Sequence, residues 1–228
     1  MSLEARKIWN DKHKQLTGII TKPEEHANAA ALFLELHTWL YASNDAHPEQ
    51  TTYEDELLKD LLEQTMRSYP VHTTNSSNSI VWHIWHSARI EDITMNILTA
   101  DGDQILHSEH YADKLQTPCI HSGNGMSGQE IAEFSAAVDI EALLEYRQAV
   151  AAGTRSIIAG LQPGQFREKP GPGQISRISE EGAVKESEQW LIDYWGSKTI
   201  AGLVLMPATR HNFVHLNKAM RVKLKLQK

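Results

Sequence analysis

Apolar positions recur along this chain at steps of three and four, the spacing of one face of a helix. Leu3, Ile8, Leu16, Ile19 and Ile20 predict a helix over 3–20, and Pro23 stands where a new one can begin. Leu32, Leu36, Trp39 and Leu40 predict an amphipathic helix over 24–43, stopped by Asn44-Asp45 and Pro48. Thr51 or Thr52 caps a third helix with Glu54, Asp55 and Glu56 in its first turn. Its apolar face of Leu57, Leu58, Leu61, Leu62 and Met66 runs on until just before Pro70. After a polar linker, Ser76, Ser77 or Asn78 caps a helix over 79–99, ended by Ala100-Asp101-Gly102-Asp103.

The second half opens on a long, poorly patterned stretch, 104–127, of a length that is often functional or mobile. Ser127 with Glu130 forms a capping box for a short helix, and Asp139 caps a long one over 140–160. Pro and Gly at 163–164 and 170–173 mark an exposed loop, and 175–181 reads as a short turn or helix. Residues 183–194, with Trp190 and Leu191, are helical up to Gly196. A last helix covers 198–226 with Pro207 as a kink. No run alternates as a strand would, so the fold is all-α. The expectation is one domain over 1–228: a four-helix bundle of 24–43, 79–99, 139–160 and 198–226, an extra N-terminal helix over 1–22, further short helices and the long loop region.

Composition narrows the function. The formal charge of -7 argues against nucleic acid as the main partner, because phosphate binding needs a basic face. The locally basic tail, Lys218, Arg221, Lys223, Lys225 and Lys228, reads as a solvated helix end. No apolar run approaches the ~18 residues of a membrane span. The charged start, Met1 to Lys7, has no apolar segment of a signal peptide. With one cysteine, Cys119, no internal disulfide forms, which fits the cytoplasm. Cys119 itself reads as a small loop residue rather than a reactive thiol. The partner expected is a small-molecule substrate, and the exposed bundle faces suit a homodimer.

The histidines are where chemistry can concentrate. His211 and His215, four apart, lie on one helix face and can point at one ion. They sit in an inward stripe of Val204, Ala208, His211, His215, Ala219, Val222 and Leu226. On the helix over 79–99, His86 shares a stripe with Ser79, Trp82, Ile90, Ile93 and Ile97, whereas His83 falls at the edge or outside. Three imidazoles on apolar stripes need partners. A metal held by His86, His211 and His215 supplies one; ordinary hydrogen bonds within the core are the alternative. Asn212 follows His211, so the His-Glu-x-x-His protease motif is absent. Glu91 and Asp92 read as helix-surface charges, Arg210 as one half of an ion pair with a carboxylate, and His37 as core-bonded, exposed or placed behind the ligands.

These segments resemble the DinB/YfiT-like metalloenzymes. The resemblance rests on Trp82-His83-Ile84-Trp85-His86-Ser87-Ala88-Arg89-Ile90-Glu91-Asp92, on His211 and His215, and on Leu36-His37-Thr38-Trp39-Leu40, and spans about 24–226. It implies a four-helix bundle with a three-histidine site, with His86, His211 and His215 as ligands of a divalent ion (Zn, Ni, Fe or Mn). His83 competes with His86 for the first position. It also implies a thiol-dependent S-transferase acting on small electrophiles, with a low-molecular-weight thiol as cosubstrate. Two readings stand beside this: a hydrolase using water activated by the metal, and a non-enzymatic helical protein that binds small molecules.

Overall fold

The computed structural model describes residues 3–43 and 51–227. The expected helix stop at Asn44-Asp45 and Pro48, the first two residues of the chain and Lys228 lie outside them. The described residues are all-helical; their one extended pairing is an isolated bridge between Thr73 and Ser76.

Helix α1 (Leu3–Ile19) buries Trp9, His13 and Leu16, with Ile20 one turn on, while Leu3 and Ile8 face water. The buried face is set by the Trp9, His13, Leu16, Ile20 spacing; Leu3 and Ile8 lie off that stripe. Trp9 donates from Nε1 to the Leu36 carbonyl at 3.1 Å and stacks on Phe213 at 4.1 Å, so α1 is built into the core. Pro23 opens a 3-10 turn, Pro23–Glu25, that leads into α2 (His26–Thr38).

The single helix expected after Thr52 is two: α3 (Tyr53–Leu58), capped by Thr52, and α4 (Glu63–Arg67). Asp60 breaks the run at φ 53°, in the left-handed region. The freed carbonyls at the end of α3 are capped from the C-terminal tail, where Lys223 Nζ donates to Glu56 at 3.1 Å, to Leu57 at 2.8 Å and to Lys59. Lys225 donates to the His72 carbonyl at 2.6 Å. The basic tail is therefore only partly a solvated end: these two ammonium groups tie it to the 56–59 and 72 backbone.

Ser79, not an earlier residue, caps α5 (Ile80–Asp92), which runs on through a π turn, Ile93–Ile97. In the 104–127 region, α6 (Ile105–Ser108) and α7 (Tyr111–Lys114) are single turns. Helix α8 (Gly128–Ala137) carries the expected Ser127–Glu130 box, and α9 (Ile140–Gly160) the expected Asp139 cap. Then come α10 (Pro172–Glu180), a 3-10 turn Glu186–Glu188, and α11 (Trp190–Gly196). The last helix is split: α12 (Ile200–Leu205), a π turn Met206–His211, and α13 (Asn212–Leu226).

Helix α5 is central, packed between α13 and α9, with α2 lying against α1 and α9. Every residue from Ile80 to Asp92 is buried. A second, smaller core of Ile90, Ile93, Ile178, Leu191, Trp195 and Leu203 sits where α10 and α11 cover the end of α5. Among the described residues, no helix is long and apolar enough to cross a membrane.

Candidate metal centre

Pro207 has no backbone N–H, so a helix through it leaves upstream carbonyls unpaired. The π turn at Met206–His211 is the local answer. Thr209 Oγ1 donates to the carbonyls of Val204 and Leu205, at 3.0 and 2.9 Å, and His13 Nε2 lies 3.0 Å from the Leu205 carbonyl. Arg210 Nη2 donates to His13 Nδ1 at 3.1 Å, which leaves His13 Nε2 as the N–H that supports the kink. Arg210 also donates to Asn10 Oδ1 at 2.5 Å and lies over the Trp9 ring. The expected carboxylate partner for Arg210 is not what holds it: α1 supplies an amide, an imidazole and an aromatic face instead.

The turn ends at His211, and α13 places His215 one turn on. Across from them, α5 presents His86. One nitrogen of each of His86, His211 and His215 lies within 4.8 Å of one from each of the others, so the three rings could hold a metal ion. Their centroids are 4.9 Å (His86 to His211), 4.8 Å (His86 to His215) and 4.3 Å (His211 to His215) apart.

Hydrogen bonds leave ligand nitrogens free. His86 Nδ1 donates to the Ser122 carbonyl at 2.6 Å, which keeps the lone pair on Nε2. Gly123 makes this approach possible. Its φ is +88°, and a Cβ there would lie 2.5 Å from the Trp85 ring and 3.3 Å from His86 Nδ1. His83 is not at the edge, as the stripe suggested, but is 1 % exposed, with its Nδ1 3.0 Å from His215 Nδ1 and its Nε2 2.8 Å from Ser76 Oγ. Two ring nitrogens at that distance need one N–H between them. We assign it to His215, because His83 can then donate from Nε2 to Ser76 and both rings are satisfied while neutral. His215 then keeps its lone pair on Nε2. His83 thus stands behind His215, and His86 takes the position in the cluster. His211 is half-buried, and its buried Nδ1 has no hydrogen-bond partner. That orphaned atom in an enclosed polar cluster fits a donor set meant for an ion.

Burial pushes the His86 imidazole down to about 4 and that of His83 to about 3; the Lys218 ammonium adds to both, against the Ser122 carbonyl in the case of His86. Burial, and then the neighbouring histidines, hold His211 and His215 well below the ordinary value. The rings are therefore neutral near pH 7, the form that ligates metals. The sign of the pH dependence follows. An unfolded chain takes up these protons near pH 6.5, whereas the folded one resists until about 4 at His86. Metal-free protein is expected to be fully stable above pH 7 and to lose stability between about 6.5 and 4. The loss is up to about 1.4 kcal/mol per pH unit for each such ring. Urea titrations at several pH values check this, and a flat midpoint from pH 7 to 4.5 contradicts it.

The charges beside these histidines are not on the surface. Asp92 is fully buried and accepts from the backbone N–H groups of Ile105 and Leu106, at 2.9 and 3.0 Å. Arg89 Nη2 donates to the Ile120 carbonyl at 2.7 Å. His86, Arg89 and Asp92, spaced by three, thus fasten the 104–127 region to α5 at three points. Glu91 is also fully buried, accepting from His37 Nε2 at 2.7 Å, Tyr41 at 2.5 Å and Asn212 at 2.6 Å. It is committed to that network and is not available as a base. Burial raises the Cys119 thiol above its ordinary range, so it carries little thiolate.

A cavity of about 270 Å³ reaches His86 and His211, between the π turn of the last helix and α11. Its lining includes Trp190, Tyr194, Trp195 and Met206, with Asn124 from the 104–127 region, none of which had been assigned a role at this site from the sequence. Trp190 and Tyr194 are 55 % and 40 % exposed on a helix that otherwise buries its apolar residues, a feature that only the folded chain shows.

No family model and no curated protein matches this chain. A solved structure of a conserved protein from Enterococcus faecalis is similar in fold, at a TM-score of 0.52 and 15 % identity, covering 87 % of this chain and 96 % of that one. At that identity the likeness speaks for a shared all-helical architecture.

Proposed function

We propose that this chain is a metal-dependent enzyme of DinB/YfiT type that transfers a thiol to a small electrophile. In this reading α2, α5, α9 and the α12–α13 pair form the four-helix bundle, and α1, α10 and α11 are additions to it. The observation that carries the proposal is the convergence of three neutral imidazoles, one with an orphaned nitrogen, two of which, His86 and His211, line an apolar cavity. Three ligands leave coordination positions open, as catalytic sites do. A divalent ion, when bound, supplies Lewis acidity that makes a thiol a thiolate near neutral pH.

The chain's own residues do the rest. His86, His211 and His215 would hold the ion, with Ser122 and His83 orienting two of the rings. Among the described residues no carboxylate lines the cavity, so no carboxylate there can act as general base on a water. A free thiol starts much closer to neutrality than water, at a pKa of about 8.5 against about 15.7, so it would ask less of the ion's charge, and that favours thiol transfer over hydrolysis.

Elemental analysis of protein purified without chelator tests the first half, with about one divalent ion per chain expected. Absence of metal, together with a melting temperature indifferent to added zinc or nickel, would remove the basis for any metal chemistry. The second half is tested by a screen of electrophiles with several thiols. Turnover is expected only with both thiol and metal, and thiol-independent turnover would instead identify a hydrolase. A further expectation concerns His83. Substituting His83→Ala should weaken metal affinity by about 10–100-fold, the usual effect of losing a ligand's orienting partner, measured by competition with a chelator. Unchanged affinity would mean that His215 is held in place without it.

A further inference from the structure

We propose that the cavity beside the three histidines selects an uncharged substrate, seating an apolar group about the size of one substituted ring and rejecting anions. This rests on the reading of the histidines as a metal site, because it assigns the non-reacting part of the substrate to that cavity.

The cavity's volume of about 270 Å³ falls just below the usual ~300 Å³ lower bound for small-molecule sites. That suits a single ring with short substituents and is too small for a nucleotide or peptide. Among the described residues, no Lys, Arg, Asp or Glu lines it. A carboxylate or phosphate seated at the end away from the histidines would lose water and gain no charged partner, which is costly. The lining residues with polar side-chain atoms are His86, His211, Asn124, Tyr194, Trp190 and Trp195. Asn124 Oδ1 accepts from Ser122 Oγ at 3.2 Å, which leaves its amide nitrogen to donate to a neutral acceptor such as a carbonyl.

The walls are made for flat apolar groups. Trp195, Leu191 and Ile90 are buried in the smaller core and give a fixed floor. Trp190 and Tyr194 stand exposed at the other end, a patch that a ring would cover. Trp190 is tethered, with its Nε1 donating to Glu188 Oε2 at 2.9 Å. Lys198 Nζ lies 4.2 Å over the Tyr194 ring, so the two exposed wall residues carry one carboxylate and one ammonium between them, and the mouth offers no net charge to draw in an ion of either sign.

The test uses metal-free and zinc-loaded protein in parallel. In the metal-free arm, saturation-transfer NMR is run with 4-fluoroacetophenone and 4-fluorobenzoate, which match in size and differ in charge. Transfer is expected to the ketone and not to the benzoate, and it should vanish in the double variant Trp190→Ala/Tyr194→Ala. Both residues are exposed at the cavity, so circular dichroism should show an intact fold. In the zinc-loaded arm, calorimetry compares four hydroxamates. Benzohydroxamate should bind at least tenfold tighter than acetohydroxamate, and at least tenfold tighter than its 4-carboxy and 4-trimethylammonio derivatives. Equal binding of benzoate and ketone, or tightest binding by either charged hydroxamate, overturns the proposal. If zinc is not retained while the ketone still discriminates, the metal reading fails and the pocket assignment stands. If zinc is retained but the ring confers no advantage in either arm, the reverse holds.

Discussion

His211→Ala is expected to empty the metal centre while leaving the metal-free protein about as stable as before. Structural four-ligand zinc sites hold their ion with about 10–16 kcal/mol, so one ligand is worth about 3 kcal/mol, or two to three orders of magnitude in affinity. Purified variant should therefore carry less than a tenth of an ion per chain. The second half of the expectation comes from the orphaned Nδ1. A buried polar atom without a partner costs about 1–3 kcal/mol in the metal-free protein. Removing it offsets the cavity that alanine leaves, and the half-buried ring fills little core. Elemental analysis and thermal melts in chelator check the two halves together. A variant that keeps its ion shows that His211 is no ligand, whereas loss of stability at unchanged metal content marks these histidines as ordinary hydrogen-bonded core.

The other large effect is expected away from the histidines, at Arg147. Its guanidinium is fully buried and donates to Glu54 at 2.5 Å, to Ser87 at 3.0 Å, to Asn212 at 2.9 Å and to the Leu40 carbonyl at 3.0 Å. It thereby ties α9 to α3, α5, α13 and the end of α2. Removing one member of a buried pair leaves the other charge uncompensated, at about 3–5 kcal/mol. Arg147→Met should lower the melting temperature by roughly 6–20 °C for a chain of this size. The double variant Arg147→Met/Glu54→Gln should recover part of that loss, because no lone carboxylate then remains buried. Equal melting temperatures for Arg147→Met and the native protein would show that water, not packing, satisfies this network. Asn212 joins Arg147 to Glu91 and sits next to His211, so the single variant should also weaken metal binding.

The helix content was legible because its signals are local. The Ser127–Glu130 box and the Asp139 cap act within three residues, and both appear as expected. So does the break at Pro207, since a missing N–H is a property of the residue itself. The pairing of His86 with His211 and His215 was also legible, because helical spacing placed each on a mostly apolar stripe. The errors on α5 share one cause. Stripe reasoning assumes that a helix has a wet side, and polar residues off the apolar stripe are sent there. Helix α5 has none: α13, α9 and the 104–127 region enclose it, so His83, Glu91 and Asp92 are interior groups with designated partners. Likewise Arg210 sits against α1, about two hundred residues away in the chain, where nothing near it in sequence could have indicated an imidazole and an indole.

By itself, the sequence determined the all-helical class, the caps at Ser127 and Asp139, the kink before the last histidine pair and the identity of three inward imidazoles. All of these depend on spacing within a turn or two of chain. Only the tertiary structure decided that His83 is interior and stands behind His215, that Glu91 and Asp92 are interior, and that α11 closes an apolar cavity over the site. Those outcomes depend on which distant segments come to lie against α5, through burial and hydrogen-bond satisfaction, and neither quantity is defined until the chain has folded back on itself.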